Sequence, residues 1–245
     1  MKIKIFNTKE SMGKAAAEKA SEILLDAIKE KGEANFVIAT GASQFEFLDN
    51  LTKITSIDWS KTTMFHLDEY VGLSEDHPAS FRKYLKDRFI NKVHPGNFYL
   101  VKGETEDPKK ECDRLNGIIS QKEIDVAFVG IGENGHLAFN DPPADFDTEK
   151  AYIIVELDDA CRRQQLGEGW FKSFEDVPKK AISMSVKQIL KSKHIICTVP
   201  DKRKAQAVKD CFKGEKISPD CPASILKEHK NCFVFLDDQS SIYLK

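Results

Sequence analysis

Short, continuously apolar segments alternate along this chain with longer segments in which apolar residues recur at helical spacing. Segments such as FVIA, VAFVG and HIICTV are typical of strands buried on both faces, as in parallel sheets covered by helices. The pattern predicts strands at Lys2–Phe6, Asn35–Ala39, Thr62–Leu67, Asn97–Leu100, Ile124–Gly130, Tyr152–Val155, His194–Val199 and Cys232–Leu236.

Helices are predicted between these strands. One begins near Met12 and ends before Gly32, and a second contains Phe81, with Ser80 as a candidate N-cap. A third begins near Ala205. The alternation predicts the α/β class: a single domain over residues 1–245, with an open, mostly parallel sheet flanked by helices on both faces.

Composition and charge disfavour several classes of binding partner. The chain has 245 residues, of which 41% are hydrophobic and 31% charged, and its net charge of −2 disfavours nucleic acid as a partner. No apolar stretch approaches the roughly 20 residues that span a bilayer, and the N-terminus is too polar for a signal peptide, so we expect no membrane partner and a cytoplasmic location. None of the six cysteines forms a C-x-x-C pair, and the histidines are scattered, so no metal site is predicted.

In open parallel sheets the ligand lies beyond the carboxyl ends of the strands, and four segments place polar residues there. The first segment follows the strand FVIA and contains Thr40, Gly41, Ala42 and Ser43. Backbone N–H groups of such a small-residue turn favour an anion such as phosphate. An ordinary strand-to-helix turn capped by Ser43 is the alternative.

The second segment, HLDEYVGL, places Asp68 and Glu69 at a strand end. Neighbouring strand residues point to opposite sides, so we expect only one carboxylate to face the ligand. A carboxylate in a partly dry pocket can act as a general base that removes a proton next to a carbonyl. A turn acid that caps the following segment is the alternative, and His66 is expected to be a core histidine.

The third segment, GIGENGHLAFNDPP, runs from Gly130 to Pro143 and has three glycines in its first six residues. The turn delivers His136, with Asn134 and Asp141 close by in sequence. A histidine needs an orienting partner before it can transfer protons, and either neighbour can provide it. A structural histidine after a glycine turn is the alternative.

The fourth segment carries Lys202, Arg203 and Lys204 at the start of a helix. Three cations there oppose the helix dipole, and a bound anion would remove that conflict. A solvated charged face, offset by Asp201, explains two of the three equally well. An anion site needs only one of them to point inward.

Together these segments resemble the glucosamine-6-phosphate deaminase (isomerase) family, most specifically through HLDEYVGL with HPASF and through GIGENGHLAFNDPP. The resemblance implies conversion of glucosamine 6-phosphate and water to fructose 6-phosphate and ammonia, without a metal or organic cofactor. It implies that Asp68 moves a proton between C2 and C1 and that His136 assists ring opening. Asn134 and Asp141 match family positions beside that histidine, and the ATGAS backbone and Lys204 would hold the sugar phosphate.

The sequence departs from the family pattern in the stretch Asp159–Phe171, which resembles a lid. Gly169 stands where many members carry a phosphate-binding arginine, and Arg162 or Arg163 is the expected substitute. Asp141 is shorter than the usual glutamate. The segments that form the allosteric site of hexameric members are not recognisable, although the resemblance allows a homo-oligomer. A 6-phosphogluconolactonase and a sugar-phosphate sensor domain are the alternative functions.

Overall fold

The computed structural model describes residues 1–244, which form two β-sheets and the helices that pack on them. The strands are β1 (Lys2–Phe6), β2 (Ala34–Ile38), β3 (Thr62–His66), β4 (Asp68–Tyr70), β5 (Asn97–Tyr99), β6 (Val126–Val129), β7 (Tyr152–Glu156), β8 (Lys180–Met184), β9 (His194–Val199) and β10 (Cys232–Asp237). The α-helices are α1 (Lys9–Lys31), α2 (Phe45–Leu51), α3 (Phe81–Leu85), α4 (Asn91–Val93), α5 (Pro108–Ile119), α6 (Asp159–Gly167), α7 (Val186–Leu190) and α8 (Ala205–Phe212).

Seven of the described strands form a parallel sheet in the order β1-β10-β9-β6-β2-β3-β5. One face of the sheet packs against α1, α2 and the segment from α3 to α4, and the other face packs against α5, α7 and α8. Strand β2 shows why its sequence is continuously apolar, because Phe36 and Ile38 enter one core while Val37 enters the other. The predicted open parallel sheet with helices on both faces is confirmed.

The structure also contains a second sheet that the sequence did not predict. It is antiparallel, with the strand order β4-β8-β7. The predicted strand at Tyr152–Val155 exists, but it belongs to this small sheet and not to the parallel one. Its side chains alternate between buried and less buried positions, as expected for a strand with only one covered face. The sequence analysis did not predict β4 or β8.

The three helices named from the sequence are present. Gly32 ends α1 in the left-handed conformation, with φ of 81°, and its N–H donates to the carbonyl of Ile28. The Ser80 side chain accepts a hydrogen bond from the N–H of Lys83 at the start of α3, and a π-helical turn at Lys86–Ile90 joins α3 to α4. Within residues 1–244, no helix combines the length and apolarity needed to cross a membrane.

Candidate active site

A cleft lies at the carboxyl ends of β2, β3, β6 and β9, which are neighbours in the parallel sheet. The turn after each of these four strands contributes to its wall. The lining residues are Ala39, Thr40, Gly41, Ser43, Leu67, Asp68, Phe81, Gly130, Ile131, His136, Ala138, Phe139, Gln164, Gln165, Glu168, Pro200, Asp201, Arg203 and Lys204.

Asp68 is the carboxylate that faces this cleft. It begins β4, two residues after the last residue of β3, and it is only 6% exposed. Burial raises the pKa of Asp68 to about 8, and the negative charge of Glu69 adds to the effect. No hydrogen bond from the described residues offsets that burial. Asp68 therefore has the properties of a carboxylate with an unusually strong affinity for a proton.

Glu69 points away from the cleft and organises the neighbouring helix. Its carboxylate accepts hydrogen bonds from the N–H of Arg82 at 2.9 Å, from the Ser80 hydroxyl at 3.0 Å and from the Arg82 Nε at 3.3 Å. His66 is fully buried, and burial lowers its pKa to about 3. Of the two acids, Asp68 lines the cleft and Glu69 does not, and His66 lies in the core as expected.

The third segment brings His136, Asp141 and Asn134 together. The His136 Nδ1 lies 2.9 Å from Asp141 Oδ1, which also accepts a hydrogen bond from Asn134 Nδ2 at 3.0 Å. The other Asp141 oxygen accepts from the N–H of Asp158 at 3.2 Å. Burial opposes ionisation of Asp141, but these hydrogen bonds outweigh it, so the pKa of Asp141 is lowered. An ionised Asp141 favours a proton on Nδ1 and leaves Nε2 as the nitrogen that can accept one.

Glycine is required where this loop turns against its own histidine. A Cβ atom on Gly132 would lie 2.4 Å from His136 Nε2, far inside van der Waals contact. Gly135 has φ of 83°, a conformation that favours glycine. The N–H of Gly132 donates to the His136 carbonyl at 2.9 Å and closes the loop. The glycines of the motif thus allow the imidazole to lie flat against the backbone.

Lys204 and the turn after β2 line the part of the cleft that we call its basic corner. Lys204 is 5% exposed, and no carboxylate in the described part of the chain lies within salt-bridge distance of its ammonium group. Burial lowers the pKa of Lys204 to about 8. Thr40, Gly41 and Ser43 line the same cleft, whereas Ala42 begins a 3-10 turn and does not line it.

The other two cations of the fourth segment have different surroundings. Arg203 lines the cleft but forms a salt bridge with Glu133 at 3.2 Å, and Lys202 is exposed. Of the three predicted cations, Lys204 is therefore the one that is buried in the cleft wall without an ion-pair partner.

The two arginines proposed from the lid-like stretch do not reach the cleft. Arg162 is buried, and its guanidinium donates to the carbonyls of Phe174 and Val177 at 2.8 and 3.0 Å. Arg163 is exposed and lies 5.1 Å from the Phe174 ring. The expectation that one of them lines the phosphate site is corrected, because the carbonyl groups of the 174–177 loop and the Phe174 ring hold both side chains elsewhere.

Helix α6 and the residue that follows it instead present Gln164, Gln165 and Glu168 to the cleft, which the sequence analysis missed. A Cβ on Gly41 would lie 3.9 Å from Glu168 Oε2, so this carboxylate is close to the basic corner. The spacing of Gln164 and Glu168, one helical turn apart, is the signal that could have indicated a common face.

Among the residues that the structure describes, one group could supply three metal ligands: His136, Asp141 and Cys161, whose ligand atoms lie within 4.8 Å of one another. Its donors fit a metal poorly. Asp141 and His136 already pair through Nδ1, and burial together with the charge of Asp141 raises the pKa of the Cys161 thiol, which favours its neutral form.

Comparisons with known proteins agree with this geometry. Two proteins named glucosamine-6-phosphate deaminase align over almost their whole length. The Listeria innocua protein is 37% identical over 231 residues, which covers 94% of this chain and 96% of that protein. The Oenococcus oeni protein is 35% identical over 244 residues, which covers 100% of this chain and 99% of that protein.

Solved structures also resemble this chain over nearly its whole length. The structure of a monomeric glucosamine-6-phosphate deaminase superposes with a TM-score of 0.89 at 32% identity, covering 99% of this chain and 100% of that one. The 6-phosphogluconolactonase from Trypanosoma brucei shares the fold, with a TM-score of 0.81 at 14% identity over 100% of this chain and 98% of that one. The family model for glucosamine-6-phosphate isomerases/6-phosphogluconolactonase matches residues 7–235, and the chain belongs to this family.

Proposed function

We propose that this chain is an amino-sugar-phosphate isomerase and deaminase that converts glucosamine 6-phosphate and water to fructose 6-phosphate and ammonia. One observation carries the proposal: a single cleft is lined by a carboxylate with a raised pKa, by a histidine whose other ring nitrogen pairs with Asp141, and by a buried lysine without an ion-pair partner. Relatives named glucosamine-6-phosphate deaminase, at 35–37% identity over nearly the full length, support the same substrate.

Asp68 is the proposed base for the isomerisation. In the open-chain aldehyde, the carboxylate takes the proton from C2 while the C1 oxygen gains a proton, which gives an enolamine with a double bond between C1 and C2. Delivery of the C2 proton to C1, with loss of one proton from the amine nitrogen, then makes C2 an imine and balances the proton gained by the oxygen. Addition of water at C2 and loss of ammonia then give the ketose. A carboxylate with a pKa of about 8 is a far stronger base than one in water and suits this step near neutral pH.

His136 is the proposed proton shuttle for ring opening. The hydrogen bond from Nδ1 to Asp141 fixes the tautomer and orients the ring, and Asn134 supports that carboxylate. The Nε2 nitrogen is then available to transfer a proton between the ring oxygen and the C1 hydroxyl, which opens the pyranose before Asp68 acts.

Lys204 and the turn at Thr40, Gly41 and Ser43 are the proposed phosphate site. A buried ammonium group without a carboxylate partner is unfavourable, and a bound phosphate would provide its counter-charge. Ala42 contributes its place in the turn and no lining side chain. Because Glu168 lies beside the same turn, its carboxylate must be screened or displaced when the phosphate binds.

The test is direct. Purified protein is incubated with glucosamine 6-phosphate, and ammonia and fructose 6-phosphate are measured by separate coupled assays, with 6-phosphogluconolactone in parallel. We expect equal amounts of the two products and no rapid lactone hydrolysis. Lactone hydrolysis without ammonia release would support the lactonase alternative, in which the fold is shared but no C2 proton is removed. Binding of sugar phosphate without either reaction would support the sensor alternative.

Three broader expectations belong to the same proposal. We propose that residues 1–245 act as one sugar-phosphate isomerase/deaminase-like domain, that the protein is cytoplasmic, and that it needs neither a cofactor nor a metal ion. Self-association also stays a prediction, and the relative solved at 32% identity is described as monomeric. Light scattering on the purified chain measures the oligomeric state, and activity after dialysis against a chelator tests the metal prediction.

A further inference from the structure

Two neighbouring glutamines on α6, Gln164 and Gln165, line the cleft and have no part in the mechanism above. Gln165 is only 7% exposed. An amide side chain offers one acceptor oxygen and a nitrogen with two N–H donors, so the protein contacts of the oxygen determine what the nitrogen can do.

The oxygen of Gln165 is occupied by Tyr70. The Tyr70 hydroxyl lies 2.7 Å from Gln165 Oε1. The ring is buried among Phe81, Phe139 and Phe171, and burial raises the pKa of Tyr70 well above its usual value, so the hydroxyl stays protonated. The hydroxyl donates its hydrogen bond to this amide oxygen. This contact fixes the amide with its nitrogen as the free end. Within residues 1–244, no group accepts a hydrogen bond from Gln165 Nε2.

The side-chain oxygen of Gln164 is likewise occupied, in this case by a backbone N–H group. The backbone N–H of Glu133 donates to Gln164 Oε1 at 2.7 Å, and a backbone N–H can only donate. Both amides therefore use their oxygens within the protein and keep their N–H groups for the cleft. Two adjacent donors match a ligand that presents oxygen acceptors.

Gln165 lies on the side of the site proposed for the reacting carbons and not on the side proposed for the phosphate. Asp68 and Tyr70 are alternate residues of β4, so their side chains leave the same face of the strand, opposite to Glu69. Tyr70 therefore holds Gln165 on the side of β4 that carries the proposed base. The basic corner with Lys204 already has its own donors.

We propose that Gln165 is a specificity residue that donates a hydrogen bond from Nε2 to a hydroxyl or carbonyl oxygen of the sugar chain, and that Tyr70 is its positioning residue. The inference rests on the proposed function only in taking a sugar phosphate as the ligand. It distinguishes a sugar phosphate from a bare phosphate, because only the former places an oxygen acceptor beside Asp68.

The test compares two ligands that cannot react, glucitol 6-phosphate and inorganic phosphate, by isothermal titration calorimetry. Gln165→Met keeps the length of the side chain and removes its donor. We expect the affinity for glucitol 6-phosphate to fall about 10–100-fold, since loss of a buried hydrogen bond of this kind has that effect. The affinity for inorganic phosphate should stay within about twofold, which also shows that the variant is folded.

Two further variants test the positioning residue and provide a surface control. Tyr70→Phe keeps the amide and releases its orientation, so it should lower the preference for glucitol 6-phosphate by less than Gln165→Met. Gln206→Met, on the exposed surface of α8, should change neither affinity.

An unchanged preference in Gln165→Met would overturn the inference, as would an equal loss for both ligands. So would wild-type protein that binds glucitol 6-phosphate no more tightly than inorganic phosphate. The proposed reaction is tested separately, because ammonia release can fail while this binding preference and its loss are still observed.

Discussion

Replacing Asp68 with asparagine is expected to make the protein more stable while it removes catalysis. The folded environment raises the pKa of Asp68 from 3.8 to about 8. Between these values the unfolded chain is ionised at this position while the folded protein keeps its proton. Proton release therefore favours unfolding, and stability falls as pH rises through this window. Asparagine does not titrate, so its contribution to the free energy of unfolding does not change with pH.

The size of the effect follows from the pKa shift. Each pH unit between the two values changes the free energy of unfolding by about 1.4 kcal/mol, so at pH 7, about 3 units above 3.8, the loss from Asp68 is about 4 kcal/mol. We expect Asp68→Asn to gain about 2–4 kcal/mol at pH 7, because the buried amide retains some cost of its own. Near pH 4 the gain should be close to zero.

The assay is urea unfolding followed by tryptophan fluorescence at several pH values from 4.5 to 8, with Trp59 as a buried reporter. Asp125→Asn is the matched control. Asp125 is also buried, but it accepts a hydrogen bond from the N–H of Asn35 at 2.7 Å and pairs with Lys31 at 2.8 Å. Its replacement should lower stability by about 1–3 kcal/mol. A stability difference between Asp68→Asn and wild type that does not change with pH would refute the reasoning.

The remaining predictions concern the proposed roles in the cleft. The kcat/KM for glucosamine 6-phosphate should rise with pH up to about pH 8 as Asp68 loses its proton, and fall above it as Lys204 loses its own. Asp68→Asn should lower the rate about 10²–10⁴-fold, and a profile without the rise below pH 8 would place the base elsewhere. His136→Gln should slow turnover of the cyclic substrate more than exchange of the C2 proton in an open-chain analogue, and equal losses would contradict ring opening. Lys204→Ala should raise KM strongly and weaken inhibition by inorganic phosphate, whereas the exposed Lys202→Ala should change neither. In the wild type this inhibition should also weaken above about pH 8, as Lys204 loses its proton.

Much of the fold could be predicted because strands buried on both faces have a distinctive composition. All eight predicted strands exist, and seven of them form the parallel sheet. Strand β8 escaped because its sequence, KAISM, begins with a charged residue and contains a serine. Strand β4 escaped because a single residue, Leu67, separates it from β3, so that the two looked like one strand followed by a turn.

The site was predictable where it depends on strand ends. A parallel sheet brings the turns after its strands to one edge, so Gly41, Asp68, His136 and Lys204 come together although they are distant in sequence. The α6 contribution was not predictable in this way. The stretch Arg162–Gln165 is polar throughout, and which of its members face the cleft depends on the rotation of the helix and on acceptors in the 174–177 loop.

The close approach of Gly132 to the His136 ring makes the residue type at one position a condition for the placement of the other. Because a Cβ at position 132 would lie 2.4 Å from Nε2, any other residue there displaces the imidazole. In a family with more than one chemistry, this pair is therefore a diagnostic marker. A homologue that keeps both residues can hold its histidine as this chain does, and a homologue with a side chain at the glycine position must hold it differently, even if the histidine itself is retained.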